Sequence, residues 1–232
     1  MPRRAVWVFD FISPYAYLQF NRLHALPEGL ELEFRPVLFA GLLSHWGQLG
    51  PAEIPQKKVH TMLTAQWRAR RAGLPFVPPP RHPFNPLTLL RLSIALGNRR
   101  AVIATIFDHV WGRGEDGQAP GSMARLAARL ELPMPRLERM IAAPEVKRSL
   151  RANTETAARE GVFGVPSIVI DTRIFWGDDM FGLLLDWLRD PGILETPEAR
   201  RIAALPAAAE RSRTAPHPPG EPLSESSATS GR

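Results

Sequence analysis

Residues 161–171 read Gly-Val-Phe-Gly-Val-Pro-Ser-Ile-Val-Ile-Asp, a glycine-marked turn running into a short apolar, β-branched run. Proline has no N–H to give a strand ladder, so Pro166 belongs at the start or edge of a strand, and a cis Val165–Pro166 bond would place it there. Ser167–Ile170 then reads as a strand, and Asp171 and Thr172 as the two-residue turn of a hairpin whose return strand is Arg173–Trp176. Asp178 and Asp179 precede a helix over Met180–Arg189, and upstream the amphipathic stretch Pro144–Glu160 reads as another. The C-terminal part of the chain is therefore helix, strand, strand, helix.

The N-terminal part completes a sheet. Ala5–Phe9 is a buried-strand run that stops at Asp10. Ser13 and Pro14 form a helix start, because serine caps free N–H groups and proline is tolerated at the first helical position. Apolar residues at helical spacing continue to Pro27, and Leu30–Val37 alternates apolar with charged residues as a second strand. Strand, helix, strand in about 35 residues has the size of a parallel crossover. Between these two ends the signals are helical: Gln56–Ala72, a helix opened by Asn85 and Pro86, Arg99–Trp111, Ser122–Leu130 and Pro135–Ala142, with a proline-rich loop over Pro75–Pro86. The expected organisation is a discontinuous α/β domain of residues 1–50 and 150–190, an all-helical insertion over 51–149, a C-terminal extension with helical potential over 191–210, and a disordered tail over 211–232.

Composition narrows the chemistry. The 232 residues contain no cysteine, which excludes a disulfide scaffold, a thiolate metal site and a redox centre built on the protein's own thiols. Six histidines are scattered at positions 24, 45, 60, 82, 109 and 217 without ligand spacing, so no metal site is expected. The net charge of +6 is carried mainly by arginine. Clusters such as Arg68, Arg70 and Arg71 read better as a solvated helix face than as a nucleic-acid patch, and the excess positive charge suits small anionic ligands. No apolar run approaches the roughly 18–20 residues of a membrane helix, and Asp10 breaks any secretory signal, so a soluble cytoplasmic protein without membrane or nucleic-acid partners is expected.

A βαβ unit and a ββα unit, with Val-Pro before the hairpin, make the thioredoxin pattern, here with a large helical insertion. The segments FDFISPYAYL (9–18), GVFGVPSIVID (161–171) and FWGDDMF (175–181), with AGLPFVPPPRHPFNPLTLLRLSIA (72–95), resemble the 2-hydroxychromene-2-carboxylate isomerases and the related kappa-class glutathione transferases, of the DsbA-like branch of the thioredoxin superfamily. The resemblance covers roughly residues 5–190. It implies glutathione as cofactor, with Ser13 at the position where DsbA-like oxidoreductases carry a catalytic cysteine and its hydroxyl against the glutathione sulfur. It implies that Val165, before Pro166, pairs through its backbone with the cysteinyl part, as an added strand would. Trp176, Gly177, Asp178 and Asp179 match the segment that holds the γ-glutamyl end. Asp178 stands where the family pattern has an amide. For the substrate, the resemblance points to Gln48, Lys57, Lys58, His60 and Asn85, with the lysines suited to a carboxylate; Gln48 stands for an asparagine and His60 near a tyrosine. Each residue also has a plain structural reading: Ser13 and the aspartates as helix caps, Pro166 as a turn, adjacent lysines as a solvated helix face.

The activity that the resemblance implies is that of a glutathione-dependent isomerase. In such enzymes the glutathione thiolate adds reversibly to the conjugated double bond of an aryl-substituted pyruvate, permits rotation and is then eliminated. The same site would serve a transferase that conjugates electrophiles, and the departures at Gln48, His60 and Asp178 leave open a non-catalytic thioredoxin-fold binding or chaperone-like module. Relatives are often dimeric, which makes a homodimer a possible assembly.

Overall fold

The computed structural model describes residues 3–209. They fall into two compact units, the first ending at Pro191 and the second beginning at Gly192. The first is built on one four-stranded sheet, β1 (Arg3–Phe9), β2 (Leu30–Pro36), β3 (Ser167–Ile170) and β4 (Arg173–Trp176), in the order β2-β1-β3-β4. β1 runs parallel to β2 and antiparallel to β3, and β3 and β4 form the hairpin, closed by Asp171 in the left-handed region at φ 56°. This is the thioredoxin arrangement, with strands from the two ends of the sequence meeting in one sheet.

Helix α1 (Pro14–Phe20) is the β1–β2 crossover, and seven helices separate β2 from β3: α2 (Phe39–Trp46), α3 (Pro55–Arg71), α4 (Leu87–Ala95), α5 (Arg100–Phe107), α6 (Pro120–Arg129), α7 (Met134–Ala142) and α8 (Pro144–Arg159). Helix α9 (Phe181–Arg189) follows the hairpin. In the second unit, helix α10 spans Pro197–Ala203, and the tail expected over 211–232 lies outside the described residues.

Alternation along β1 splits the core. Trp7 and Phe9 stack at 4.4 Å and gather Phe20, Phe34 and Phe107 around them. Val6 and Val8 face the other way, into an aliphatic cluster with Val37, Leu42, Ala157 and Val169. Period-two side-chain direction is what sends aromatics to the α1/α5 face and small aliphatics to the α2/α8 face.

Three elements depart from the sequence expectation. Helix α1 stops at Phe20 instead of reaching Pro27, because the Asn21 side chain donates to the Tyr17 carbonyl (2.9 Å) and a 3₁₀ turn over Leu23–Ala25 takes the chain onward. The helix expected over Arg99–Trp111 leaves α-geometry after Phe107 and finishes as a π-helical turn over Asp108–Gly112. Helix α2 has no counterpart in the sequence expectation. Its N-terminus has no local side-chain cap; the Phe39 N–H instead donates 2.9 Å to Asp10, 29 residues earlier.

Candidate active site

The register of β1 against β3 creates the site. Val8 lies opposite Ser167, so the residues just before Ser167 run beside those just after Phe9. Val165–Pro166 is cis, and the loop it forms faces the N-terminus of α1. The Ser13 hydroxyl accepts from the Ala16 N–H at 3.2 Å and donates toward the Val165 carbonyl at 3.5 Å. The first bond is a true N-cap; the second is at the limit of hydrogen-bond length, so the hydroxyl proton is loosely held. The Val165 N–H has no hydrogen-bond partner among the described residues.

Asp10 anchors this corner. Its side chain is fully buried, accepts from the Ile12 N–H (3.0 Å) and the Phe39 N–H (2.9 Å), while its carbonyl takes the Ser13 N–H at 3.1 Å. Burial pushes the Asp10 carboxyl up to about 7, against backbone N–H donors that favour the ion. One carboxyl thus ties the Ser13 turn to the start of α2.

The third segment, Trp176 to Asp179, is held by α1. The Gln19 side chain donates to the Gly177 carbonyl (2.9 Å) and accepts from Trp7 (2.7 Å), and the Gly177 N–H donates to the Pro166 carbonyl (2.8 Å). Trp176 is half exposed and its indole lies over Gly164, where a β-carbon would come within 2.3 Å of the indole nitrogen. Asp178 and Asp179 diverge sharply. Asp178 is buried between two arginines, Arg22 at 2.8 Å and Arg68 at 3.1 Å. Asp179 is exposed and makes no ion pair among the described residues. Arg22, Arg68, Arg71, Trp67 and both aspartates line a cleft of about 430 Å³. Tyr15 lies under the Arg68 guanidinium, 5.5 Å from its ring centroid.

The expected residues therefore divide into two groups. Ser13, Val165, Pro166, Trp176 and Gly177 are linked through short contacts, with Asp178 and Asp179 next in chain. Gln48, Lys57 and His60 are exposed, and no hydrogen bond or ring contact joins them to Ser13 among the described residues. Lys58 is half-buried near His82, whose imidazole is lowered to about 4, by burial first and then by Lys58. The Asn85 side-chain oxygen accepts from the Leu87 N–H at 3.0 Å, a turn across Pro86 that leads into α4. Asp10, Tyr15, Gln19, Arg22 and Arg68 join the site without having been expected there. Asp10 carried the one available sequence signal, a carboxylate ending an apolar strand.

Residues 6–189 match the model of the DSBA-like thioredoxin domain. The chain belongs to that family. It is 26% identical over 196 residues to a 2-hydroxychromene-2-carboxylate isomerase of Sphingobium xenophagum, covering 82% of this chain and all of the relative. It is 25% identical over 222 residues to human glutathione S-transferase kappa 1, covering 86% and 96%. Among solved structures, a 2-hydroxychromene-2-carboxylate isomerase superposes with a TM-score of 0.70 at 22% identity over 85% of this chain and 98% of that one. This DSBA-like chain thus resembles isomerases and kappa transferases along nearly its whole described length, and the likeness to enzymes holds at that level.

Proposed function

We propose that this chain is a cytoplasmic glutathione-dependent isomerase of the 2-hydroxychromene-2-carboxylate type, acting on a small aryl-substituted keto acid. The observation that carries the reading is the loosely held hydroxyl of Ser13 facing the cis Val165–Pro166 loop in a chain with no cysteine. The isomerase name of a relative aligned over its full length supports it.

The residues present suit glutathione. Its peptide needs a backbone edge, and the Val165 N–H is unpaired with its carbonyl only weakly engaged. Its ammonium needs an acceptor, and the Asp179 carboxylate is exposed at the cleft. Its γ-glutamyl carboxylate needs positive charge, and Asp178 holds Arg22 and Arg68 there. When bound, glutathione supplies the nucleophilic thiolate that the chain lacks. Ser13 swings its proton from Val165 toward the sulfur and favours the ionised thiol, and the Trp176 indole packs over Gly164 beside the Val165–Pro166 loop. Lys57 and Lys58 hold the substrate carboxylate, with Gln48, His60 and Asn85 around the substrate, and two chains assemble as a homodimer.

The test is conversion of 2-hydroxychromene-2-carboxylate with and without glutathione. The reading predicts turnover that requires glutathione and leaves its concentration unchanged. No conversion at millimolar glutathione would contradict it. Similarity to the kappa transferase favours one second reading, conjugation to an electrophile, which would instead consume glutathione stoichiometrically.

A further inference from the structure

On the α2/α8 side of the sheet a cavity of about 520 Å³ opens between α2, α4 and α8. That volume suits a drug-sized ligand. Its floor is apolar, made by Leu38, Leu87 and Leu150. Four cations stand around it, Arg91, Lys147, Arg151 and Arg159, against one carboxylate, Glu155. Glu155 is taken by Arg151 at 2.9 Å in a pair so exposed that water screens it.

The other three cations have no acidic partner among the described residues. Arg159 reaches only the Thr156 hydroxyl, at 2.9 Å. The Arg91 Nε is buried and has no hydrogen-bond partner among the described residues. A concave apolar floor ringed by unpaired cations also focuses positive potential where an anion can shed water. None of the residues assigned above to glutathione or its substrate lines this cavity.

We propose that this cavity is a second binding site, for an amphipathic organic anion: an aromatic or medium-chain carboxylate whose apolar body covers the leucines and whose head group meets Arg91, Lys147 and Arg159. Apolar contact alone would take a neutral ligand equally well; the surplus of cations selects the acid.

Calorimetric titration of the full chain with decanoate and with 2-naphthoate tests this, with amide chemical shifts to map the site. One saturable site is expected for each, with shifts centred on Leu38, Gly41, Thr154 and Ala158. Arg91→Met and Lys147→Glu should each weaken binding at least tenfold, whereas Ser13→Ala and saturating glutathione should leave it unchanged. Lys147 is exposed, so its variant carries the test even if Arg91→Met does not fold. Unaltered affinity in Lys147→Glu, displacement by glutathione, or no saturable binding of either acid would each overturn the proposal.

Discussion

A serine hydroxyl has one proton to give, and at Ser13 that proton points along 3.5 Å toward a carbonyl while the oxygen itself caps α1. The two roles separate under mutation. Ser13→Ala removes the cap, which costs about 1 kcal/mol of stability, and it removes the only side-chain donor expected at the sulfur. Glutathione-dependent turnover should fall at least tenfold while thermal unfolding shifts by only a few degrees; a loss of stability with turnover unchanged would leave Ser13 a cap alone. Ser13 was legible because its signal is local, a serine and a proline ahead of helical spacing. Asp10 was visible only as an acid after apolar residues, since the Phe39 N–H that gives it meaning lies far along the chain. Its titration has a definite sign. A carboxyl at about 7 in the fold and about 4 when unfolded holds its proton more tightly in the native state, so its contribution is full below about pH 4 and is lost as pH rises to about 7. Asp10→Asn should remove that fall, worth at most about 1.4 kcal/mol per pH unit, as followed by urea unfolding at stepped pH.

At the scale of elements, the hairpin and its flanking loops carry the tightest constraints. Gly164 meets the Trp176 indole so closely that Gly164→Ala must push the ring out, an overpacking cost of about 1–3 kcal/mol. A changed tryptophan emission and weaker glutathione binding are the expected readouts; unchanged emission would show that the ring is free to move. Asp178 was expected to touch glutathione, yet both its carboxylate oxygens are occupied by Arg22 and Arg68. Its carboxylate ties Arg22, just after α1, and Arg68 of α3 to the loop before α9. Asp178→Ala leaves those guanidinium groups without their acid, and because both arginines reach solvent the stability loss should stay near 1–3 kcal/mol. Glutathione affinity should fall with it, read by calorimetry. Sequence periodicity gave most helices because their apolar spacing and start signals are local, as for Gln56–Ala72 against the observed Pro55–Arg71. It missed α2 because that helix borrows its cap from Asp10, and it overran α1 because a single asparagine side chain ends it.

For the whole molecule, opposing titrations shape stability. His82 and His109 are both lowered to about 4 by burial, so the unfolded chain binds their protons more readily and stability is lost as pH falls from about 6.5 to 4. Asp10 works in the other direction across most of that window. The gain in stability from pH 4.5 to 6.5 should accordingly be steeper in Asp10→Asn than in the natural chain, measured by urea unfolding. The split sheet was legible because strand-forming runs occur only at the two ends of the domain, with the Val-Pro signature before the second. Which charged residues cluster around the cleft was not, since Arg22, Arg68 and Asp178 lie far apart in sequence and meet only in the folded chain. The proposed function makes one central claim for the whole chain, that the reactive thiol comes with glutathione bound beside Ser13 and Asp179. Ultraviolet titration of the thiolate in the glutathione complex tests that most directly. The bound thiol should ionise at least one pH unit below an ordinary thiol's value of about 8.5, and Ser13→Ala should return it toward that value; a bound thiol that titrates like the free one, or identically in both proteins, would contradict the account.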